Sequence, residues 1–218
     1  MSEPERWEGK FEDFLRHTGS AGDAAHDLEH IRRVVANAVD LAAAEQADLA
    51  VVLPAAWLHD CVHIAKDSAL RAQASTLASH AAVDFLQRIG YPERYLPAIR
   101  HAIAAHSFSA AIPPDTIEAM VVQDADRLDA LGAIGIARCL MLGGALGRRL
   151  YDPAEPFPRS RPLDDSVNTL DHFYCKLLRL AKQMRTASGR AEADRRAGFM
   201  RGFLAQLGHE LNLVLANE

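Results

Sequence analysis

The stretch AAWLHDCVHIAKDS, residues 55–68, begins with apolar helix-forming residues and ends in polar side chains. Residues 55–58 are typical of a buried helical turn, and His59 and Asp60 follow them directly, with His63 close behind. A histidine near the C-terminus of a helix interacts favourably with the helix dipole, so the His-Asp pair fits a helix end. The same pair also fits a ligand-binding site, and the rest of the chain has to decide between the two.

The composition is that of a globular protein with one sizeable hydrophobic core. The chain has 218 residues, of which 49% are hydrophobic and 24% charged, as in ordinary soluble proteins. This length fits one domain or two. The net charge of -5 provides no overall basic field to attract nucleic acid. We therefore expect no nucleic-acid partner.

Cysteine usage and the N-terminal sequence indicate a cytoplasmic protein. Cys61, Cys139 and Cys175 are far apart and form no CxxC pair, which favours reduced thiols. The segment MSEPERWEGKFEDFLRH is charged throughout, unlike a signal peptide. No uncharged apolar run approaches the roughly 20 residues of a membrane span, so we expect no membrane partner.

Helical spacing of apolar residues runs through most of the chain, and β-branched residues do not cluster into alternating strands. Six predicted helices cover residues 5–17, 28–47, 49–63 (with Asp48 as N-cap), 68–89, 92–106 and 116–130. A seventh segment starts at residue 132 and loosens at Gly143 and Gly144. An eighth starts at Asp165 or Ser166, and Gly189 separates that segment from a last helix. This pattern predicts an all-α fold.

The domain prediction is a single domain over residues 1–218. Its core would span about 22–132, and C-terminal helices at 166–215 would pack on that core. The segment between them, residues 151–165, is rich in proline and predicts a long loop that acts as a lid or rim rather than a linker.

Histidine and aspartate residues recur at the ends or faces of apolar helices. His30 lies in HDLEHIRRV, His59 and Asp60 in the opening stretch, and Asp126 in QDADRLDA. Taken singly, His30 fits a surface histidine and Asp126 fits an ion pair with Arg127 or Arg138. Taken together, one imidazole, then an imidazole-carboxylate pair, then a carboxylate suit a divalent ion of intermediate softness.

The ordered set HDLEHIRRV, AAWLHDCVH and QDADRLDALGAIGIAR resembles the HD superfamily of metal-dependent phosphohydrolases, and in particular a small bacterial branch that resembles nucleotide pyrophosphohydrolases. The likeness continues through KDSALRAQAS, AAHSFSA and LDHFYCKLLRLAKQMRT, so it spans nearly the whole chain from residue 26. The resemblance implies an all-helical HD-domain fold with the metal site between its central helices.

The resemblance also implies the ligands and the reaction. The ligands would be His30, His59, Asp60 and Asp126, around one divalent ion: Mn, Fe, Co, Ni, Zn or Mg. Such an ion would acidify a bound water and offset charge on an attacked phosphorus. The predicted substrate is a small nucleotide, a nucleoside triphosphate cleaved to monophosphate and pyrophosphate.

Further side chains are predicted to act on the substrate. The predicted catalytic residues are Asp60, His63 and His106, with the two histidines as proton donors near neutral pH. The predicted substrate-binding residues are Lys66, Arg71, His101, Arg127 and Lys176. Each has a purely structural alternative, such as a solvated helix start for Lys66 and Arg71 or an ion pair for Arg127.

Other functions remain open at this point. The same fold accommodates a nucleoside monophosphatase or a cyclic-nucleotide phosphodiesterase, and a non-catalytic metal- and nucleotide-binding regulatory module is an alternative from another class. A homodimer also remains open, since the apolar residues of the last helix, Phe199, Phe203, Leu207 and Leu211, fit either the core or a dimer seam.

Overall fold

The computed structural model describes residues 3–18, 28–64, 68 and 70–213. These residues form helices connected by turns and loops, and among them no strand occurs beyond an isolated bridge between Arg149 and Asn168. The predicted all-α class is confirmed. The α-helices are α1 (Glu3–Thr18), α2 (Leu28–Glu45), α3 (Leu49–Leu58), α4 (Ala74–Arg88), α5 (Leu96–His106), α6 (Ile117–Leu128), α7 (Gly132–Ala145), α8 (Leu178–Leu180) and α9 (Ala187–Glu210).

The chain divides into two compact units. The first comprises Met1–Asp126 with Arg185–Gly189, and the second comprises Arg127–Met184 with Arg190–Glu218. The predicted domain boundaries stay predictions.

In the first unit, α3 is the central element. Asp48 accepts a hydrogen bond from the backbone of Ala50 at 2.8 Å and so caps the helix start, as predicted. The helix has no polar face, and α1, α2 and α5 all pack against it, while α4 packs on α5. A helix that is apolar all round is stable only when neighbours cover it in this way.

The end of α3 lies earlier than predicted. The helix was expected to reach His63, but it ends at Leu58, where the carbonyl of Leu58 accepts a hydrogen bond from the backbone of Cys61 at 3.2 Å. This shorter bond closes a tight turn in place of another helical turn. His59 and Asp60 therefore leave the helix within that turn, against the buried end of α3.

Two predicted helix breaks at glycine are wrong. The helix α7 continues through Gly143, where an added Cβ would collide with the side chain of Thr169. Likewise, α9 begins two residues before Gly189, where a Cβ would lie 2.5 Å from Asp124 Oδ2. Both glycines permit a close approach rather than ending a helix. At Gly90 the prediction holds, because φ is +77° just beyond the end of α4.

Two helix starts also differ from the prediction. Instead of starting at Ser68, the fourth helix begins at Ala74, after a 3₁₀ turn at Arg71–Gln73. The segment expected to start at 165 or 166 becomes helical only at Asp171, because turns and the Arg149–Asn168 bridge occupy residues 164–170. It then continues as a π-helical turn at Phe173–Leu177 and the single turn α8.

In the second unit, the proline-rich segment 151–165 forms a loop without helix. Arg161 binds both carboxylate oxygens of Asp171 at 2.6 Å, and the backbone of Asp164 donates to the same group at 2.8 Å. Glu155 accepts hydrogen bonds from the backbone and hydroxyl of Ser160. These contacts fix the loop against the start of the following helical segment.

The buried face of α9 is formed by Ala193, Ala197, Met200 and Leu204. Phe199 lies outside this face and is 57% exposed. No single helix among the described residues is long and apolar enough to cross a bilayer; α6 and α7 pass that test only as a pair, bent by 58°.

Candidate metal centre

The four predicted ligands converge in the first unit. Asp126 Oδ1 lies 3.5 Å from His30 Nε2 and 3.8 Å from His59 Nε2, and Asp60 Oδ2 lies 3.7 Å from His59 Nε2. The rings of His30 and His59 are 5.6 Å apart between centroids. Ligand atoms of His30, His59 and Asp60 all lie within 4.8 Å of one another, close enough to share one ion.

Each ligand comes from a helix that the sequence pattern predicts. His30 lies in the first turn of α2, the His59-Asp60 pair follows α3, and Asp126 lies in the last turn of α6. The apolar stripes of these helices pack into the core and carry the polar side chains with them. Sequence positions almost 100 residues apart therefore meet at one point.

Hydrogen bonding fixes the ring of His59. Its Nδ1 lies 2.8 Å from the carbonyl oxygen of Ala56, which can only accept, so Nδ1 carries the proton and Nε2 presents a lone pair. Nε2 is buried and has no hydrogen-bond partner. A buried acceptor without a partner is costly, and a metal ion would satisfy it. The residues therefore fit a divalent cation.

Burial divides the cluster into an apolar and an open side. His30 and His59 are 2% and 0% exposed, whereas the side chains of Asp60 and Asp126 are 28% and 29% exposed. Burial lowers the pKa of His59, despite the nearby carboxylates of Asp60 and Asp126. The neutral imidazole is the form that binds metals, and the two carboxylates form the solvent-exposed side of the cluster.

His106, at the end of α5, belongs to the same cluster. Its Nε2 lies 3.4 Å from Asp60 Oδ1, and its ring lies 4.9 Å from that of His59. Burial acts to lower the pKa of His106, but the hydrogen bond and charge of Asp60 outweigh burial and raise that pKa. The structure thus brings this predicted catalytic residue to Oδ1 of Asp60, while Oδ2 of the same carboxylate lies near His59.

The other aspartates of QDADRLDA have structural partners. Asp124 accepts hydrogen bonds from the backbones of Arg185 and Thr186 and from the Thr186 hydroxyl at 2.8–3.0 Å. Asp129 pairs with Arg138 at 2.5 Å. Arg138, one of the two arginines considered as a partner of Asp126, is thus bound by Asp129, and Asp126 lies beside two imidazoles.

The side chains predicted to act on the substrate, unlike the four predicted metal ligands, are not shown to converge on one point. His63 is exposed, Arg71 donates to the carbonyl of Ile64 at 3.0 Å, and His101 accepts from the backbone of Asp115 at 3.0 Å. Lys66 lies outside the described residues. Arg127 and Lys176 belong to the second unit, where Arg127 donates to the carbonyl of Gln183 at 2.7 Å and Lys176 is exposed. Their roles in binding a substrate stay predictions.

Two amide side chains that the sequence did not single out support the site. Asn37 donates to the carbonyl of Ala125 at 3.3 Å, next to Asp126, and Gln123 donates to the carbonyl of Ala105 at 2.7 Å, next to His106. Each ties a site-bearing helix to a neighbour. An amide within an apolar helix gives no signal in the sequence about which distant carbonyl it binds.

Comparisons with known proteins agree with this geometry. The HD domain family matches residues 27–131, which include all four predicted ligands. YpgQ of Bacillus subtilis, described as an uncharacterized protein, is 35% identical over 192 residues, covering 86% of this chain and 85% of YpgQ.

Solved structures extend the likeness over nearly the whole chain. An HD-superfamily hydrolase from Bacillus thuringiensis is 35% identical, with coverage of 96% of this chain and 98% of that one and a TM-score of 0.75. YpgQ of Bacillus subtilis, solved in complex with ADP, is 34% identical, with coverage of 92% and 97% and a TM-score of 0.70. On this evidence of sequence and fold, the chain belongs to the HD-domain superfamily.

Proposed function

We propose that this protein is a metal-dependent phosphohydrolase of small nucleotides that cleaves nucleoside triphosphates to monophosphate and pyrophosphate. The observation that carries the proposal is the cluster of His30, His59, Asp60 and Asp126 around the unpartnered Nε2 of His59. Two buried imidazoles beside two partly exposed carboxylates suit a divalent cation that keeps coordination positions free for substrate.

The proposed ligands are the two imidazole Nε2 atoms, one oxygen of Asp60 and one of Asp126. When bound, a divalent ion supplies Lewis-acid chemistry, which makes water a better nucleophile and offsets negative charge on phosphorus. The protein's part is to orient the imidazoles. The backbone carbonyl of Ala56 orients the ring of His59, and burial lowers the pKa of that ring.

The remaining steps concern the phosphate chain. In the proposed reaction water attacks the α-phosphorus, the bond from that phosphorus to the bridging oxygen breaks, and pyrophosphate leaves. His106 and His63 are the proposed proton donors, and His106 already lies against Asp60. Lys66 and Arg71 follow the ligand pair in sequence, and we propose that they offset the charge of the phosphates.

The nucleotide part of the proposal draws on a relative. YpgQ, 34% identical over nearly its full length, was solved with ADP. ADP contains the adenosine and the phosphoanhydride that a nucleotide pyrophosphohydrolase would recognise. Because a relative of this similarity binds such a molecule, we propose a nucleotide as the substrate of this protein.

The test is a panel of nucleoside mono-, di-, tri- and cyclic phosphates with added Mn²⁺, Co²⁺, Ni²⁺, Zn²⁺ or Mg²⁺, followed by chromatography of the products. We expect metal-dependent release of monophosphate and pyrophosphate from triphosphates, abolished by chelation. Orthophosphate from monophosphates, or opening of cyclic nucleotides alone, would replace the proposed reaction with one of its alternatives. Nucleotide binding without turnover under every metal would identify a regulatory module.

A further inference from the structure

The end of α5, which carries His106, is bound by three side chains. Three consecutive carbonyls there, those of residues 103–105, each have a different partner. His106 Nδ1 lies 2.7 Å from the first carbonyl oxygen, the Ser75 hydroxyl donates to the second at 2.9 Å, and the Gln123 amide donates to the third at 2.7 Å. The last carbonyls of a helix lack intrahelical partners, so these side chains satisfy groups that the helix itself leaves open.

The two partners from outside α5 come from different helices of the first unit. Ser75 lies in the first turn of α4 and Gln123 in α6, and both side chains are buried. A serine inside a helix often bonds to its own helix, as Ser79 does by donating to the carbonyl of Thr76 at 2.7 Å. Ser75 instead donates to a neighbouring helix, so its hydroxyl fixes α5 against α4.

The amide of Gln123 is fixed at both ends. Arg185 Nε donates to Gln123 Oε1 at 3.4 Å, and the backbone of Arg185 donates to both carboxylate oxygens of Asp124 at 2.9 and 3.0 Å. A guanidinium can only donate and a backbone carbonyl can only accept. These two partners therefore allow one orientation of the amide, with its nitrogen towards the end of α5.

The position of α5 determines where His106 meets the metal centre. His106 Nε2 lies 3.4 Å from Asp60 Oδ1, and α6, which holds the end of α5 through Gln123, also carries Asp126. Reacting groups must be held within about 0.5 Å of their productive geometry, and a misplacement of about 1 Å can reduce a rate about 100-fold. A bond that fixes the end of α5 thus acts on the geometry of the site.

We propose that Ser75 and Gln123 are positioning residues for His106. The inference rests on the proposed function, in which His106 is a proton donor to the leaving group. Neither residue contacts the predicted ligands in this arrangement; each acts through the backbone of α5. Their loss should therefore slow the chemical step and leave the binding of metal and nucleotide unchanged.

The kinetic test uses Ser75→Ala and Gln123→Met, which remove the donor and keep a side chain of similar or smaller size. We expect each to lower kcat by about tenfold or more, with KM for the nucleoside triphosphate and metal content within about twofold of the wild type. Ser79→Ala is the matched control, because it removes a buried hydroxyl of the same helix that bonds within α4. It should keep the wild-type kcat.

A double-mutant cycle with His106→Asn separates positioning from general stability. If Ser75 and Gln123 act through His106, S75A and Q123M should lower kcat little further in the H106N protein. The same fold loss with and without His106 would overturn the proposal, since the two residues would then act on the fold as a whole. Circular dichroism checks that the variants are folded.

A spectroscopic test does not depend on any substrate. Long-range ¹H–¹⁵N correlation spectra report the ring signals of each histidine, recorded without added metal and with Zn²⁺. We expect S75A and Q123M to shift the signals of His106 and S79A to leave them unchanged. Unshifted His106 signals in both variants would overturn the proposal even if nucleotides were hydrolysed. Shifted signals in a protein that hydrolyses no nucleotide would support the positioning of His106 and contradict the proposed function instead.

Discussion

Two histidines of the site make the same hydrogen bond to the end of the helix that carries them. His59 follows the last residue of α3 and His106 ends α5, and each directs Nδ1 to the carbonyl three residues earlier, Ala56 at 2.8 Å and Ile103 at 2.7 Å. The last carbonyls of a helix lack intrahelical partners. The histidine satisfies one of them, and its Nε2 then points beyond the helix end. The helix cap and the proposed metal ligand, which were rival interpretations of the sequence, are thus compatible, because they use two different atoms of the same ring.

At the residue scale, we predict that His59→Ala lowers both bound metal and nucleotide hydrolysis to background. The variant removes His59 Nε2, which is buried without a hydrogen-bond partner, and with it a proposed ligand at the centre of the cluster. Metal content by inductively coupled plasma mass spectrometry and turnover by product chromatography measure the two effects.

His80→Ala is the matched control for that prediction, because His80 is exposed and its ring nitrogen contacts Arg100. It should keep both metal and rate. If H59A retained a full complement of metal and the wild-type rate, the ligand assignment of His59 would be wrong.

The sequence predicted which residues meet better than it predicted what surrounds them. The order of His30, the His59-Asp60 pair and Asp126 was enough, with the family resemblance, to name a common site. The partners of Asp124 were not predictable, because they lie about 60 residues further along the chain. A local pattern contains no information about which distant backbone donor will reach a carboxylate.

At the scale of the element, three residues near the end of α6 contact three different parts of the structure. Gln123 holds the end of α5, Asp124 holds the start of α9, and Asp126 faces the imidazoles. Successive helix positions point in different directions, so each contact reaches a different neighbour. The carboxylate of Asp126 is thereby placed on a helix that also contacts two other segments.

We predict that Gly189→Ala lowers the free energy of unfolding by about 1–3 kcal/mol. An added Cβ would lie 2.5 Å from Asp124 Oδ2 and 2.6 Å from Thr186 Oγ1. Since those atoms hydrogen-bond to each other, relief of the clash disrupts the contact between α6 and α9. Urea unfolding monitored by circular dichroism measures the change.

Gly202→Ala on the same helix supplies the control, because its Cβ would meet nothing within 4 Å. Alanine is the better helix former, so this variant should gain up to about 1 kcal/mol. Equal changes in the free energy of unfolding for the two substitutions would show that helix propensity, rather than packing against Asp124, determines the effect at Gly189.

Glycine also explains why helix boundaries were the weakest part of the sequence prediction. Gly143 and Gly189 have the local appearance of helix breakers, yet both lie inside helices against Thr169 and Asp124. Gly90, by contrast, adopts the positive φ expected at a helix end. A glycine that ends a helix and one that admits a neighbour are identical in sequence, and tertiary contacts decide between them.

At the scale of the whole molecule, the family match and the relatives cover different lengths. The HD domain match, residues 27–131, falls almost entirely in the first unit. The solved relatives, by contrast, cover 92–96% of the chain. The second unit is therefore part of what these proteins share, and its own stabilising contacts can be tested separately from the metal centre.

In that second unit we predict that Asp171→Asn lowers the free energy of unfolding by about 2–3 kcal/mol at neutral pH, since it removes the buried carboxylate that pairs with the partly buried Arg161. Burial acts to raise the pKa of Asp171, but hydrogen bonds from Arg161 and the backbone of Asp164 outweigh it and lower that pKa. A carboxyl with a lowered folded-state pKa stabilises the fold above its unfolded pKa, about 3.9, and loses that contribution as the pH falls through the folded value.

The difference between wild type and D171N should accordingly shrink as the pH is lowered below about 4. Urea unfolding at a series of pH values measures this difference in the free energy of unfolding. The control Asp194→Asn, at an exposed position of α9, should change the free energy of unfolding little at any pH. A difference for D171N that stays constant into acid would contradict the assigned role of the ion pair.

The last prediction joins the two units in one measurement. A ligand that binds only the folded state stabilises it by about 2.7 kcal/mol at 100 times its Kd, which for a chain of this size raises Tm by about 5–10 °C. We expect Mn²⁺ to produce such a shift in the wild type and none in H59A. D171N should start from a lower Tm yet retain the metal-induced increase, because Asp171 belongs to the second unit and the proposed ligands to the first. Loss of the metal response in D171N would mean that the ion pair and the metal centre are energetically coupled, and an undiminished response in H59A would place the ion elsewhere.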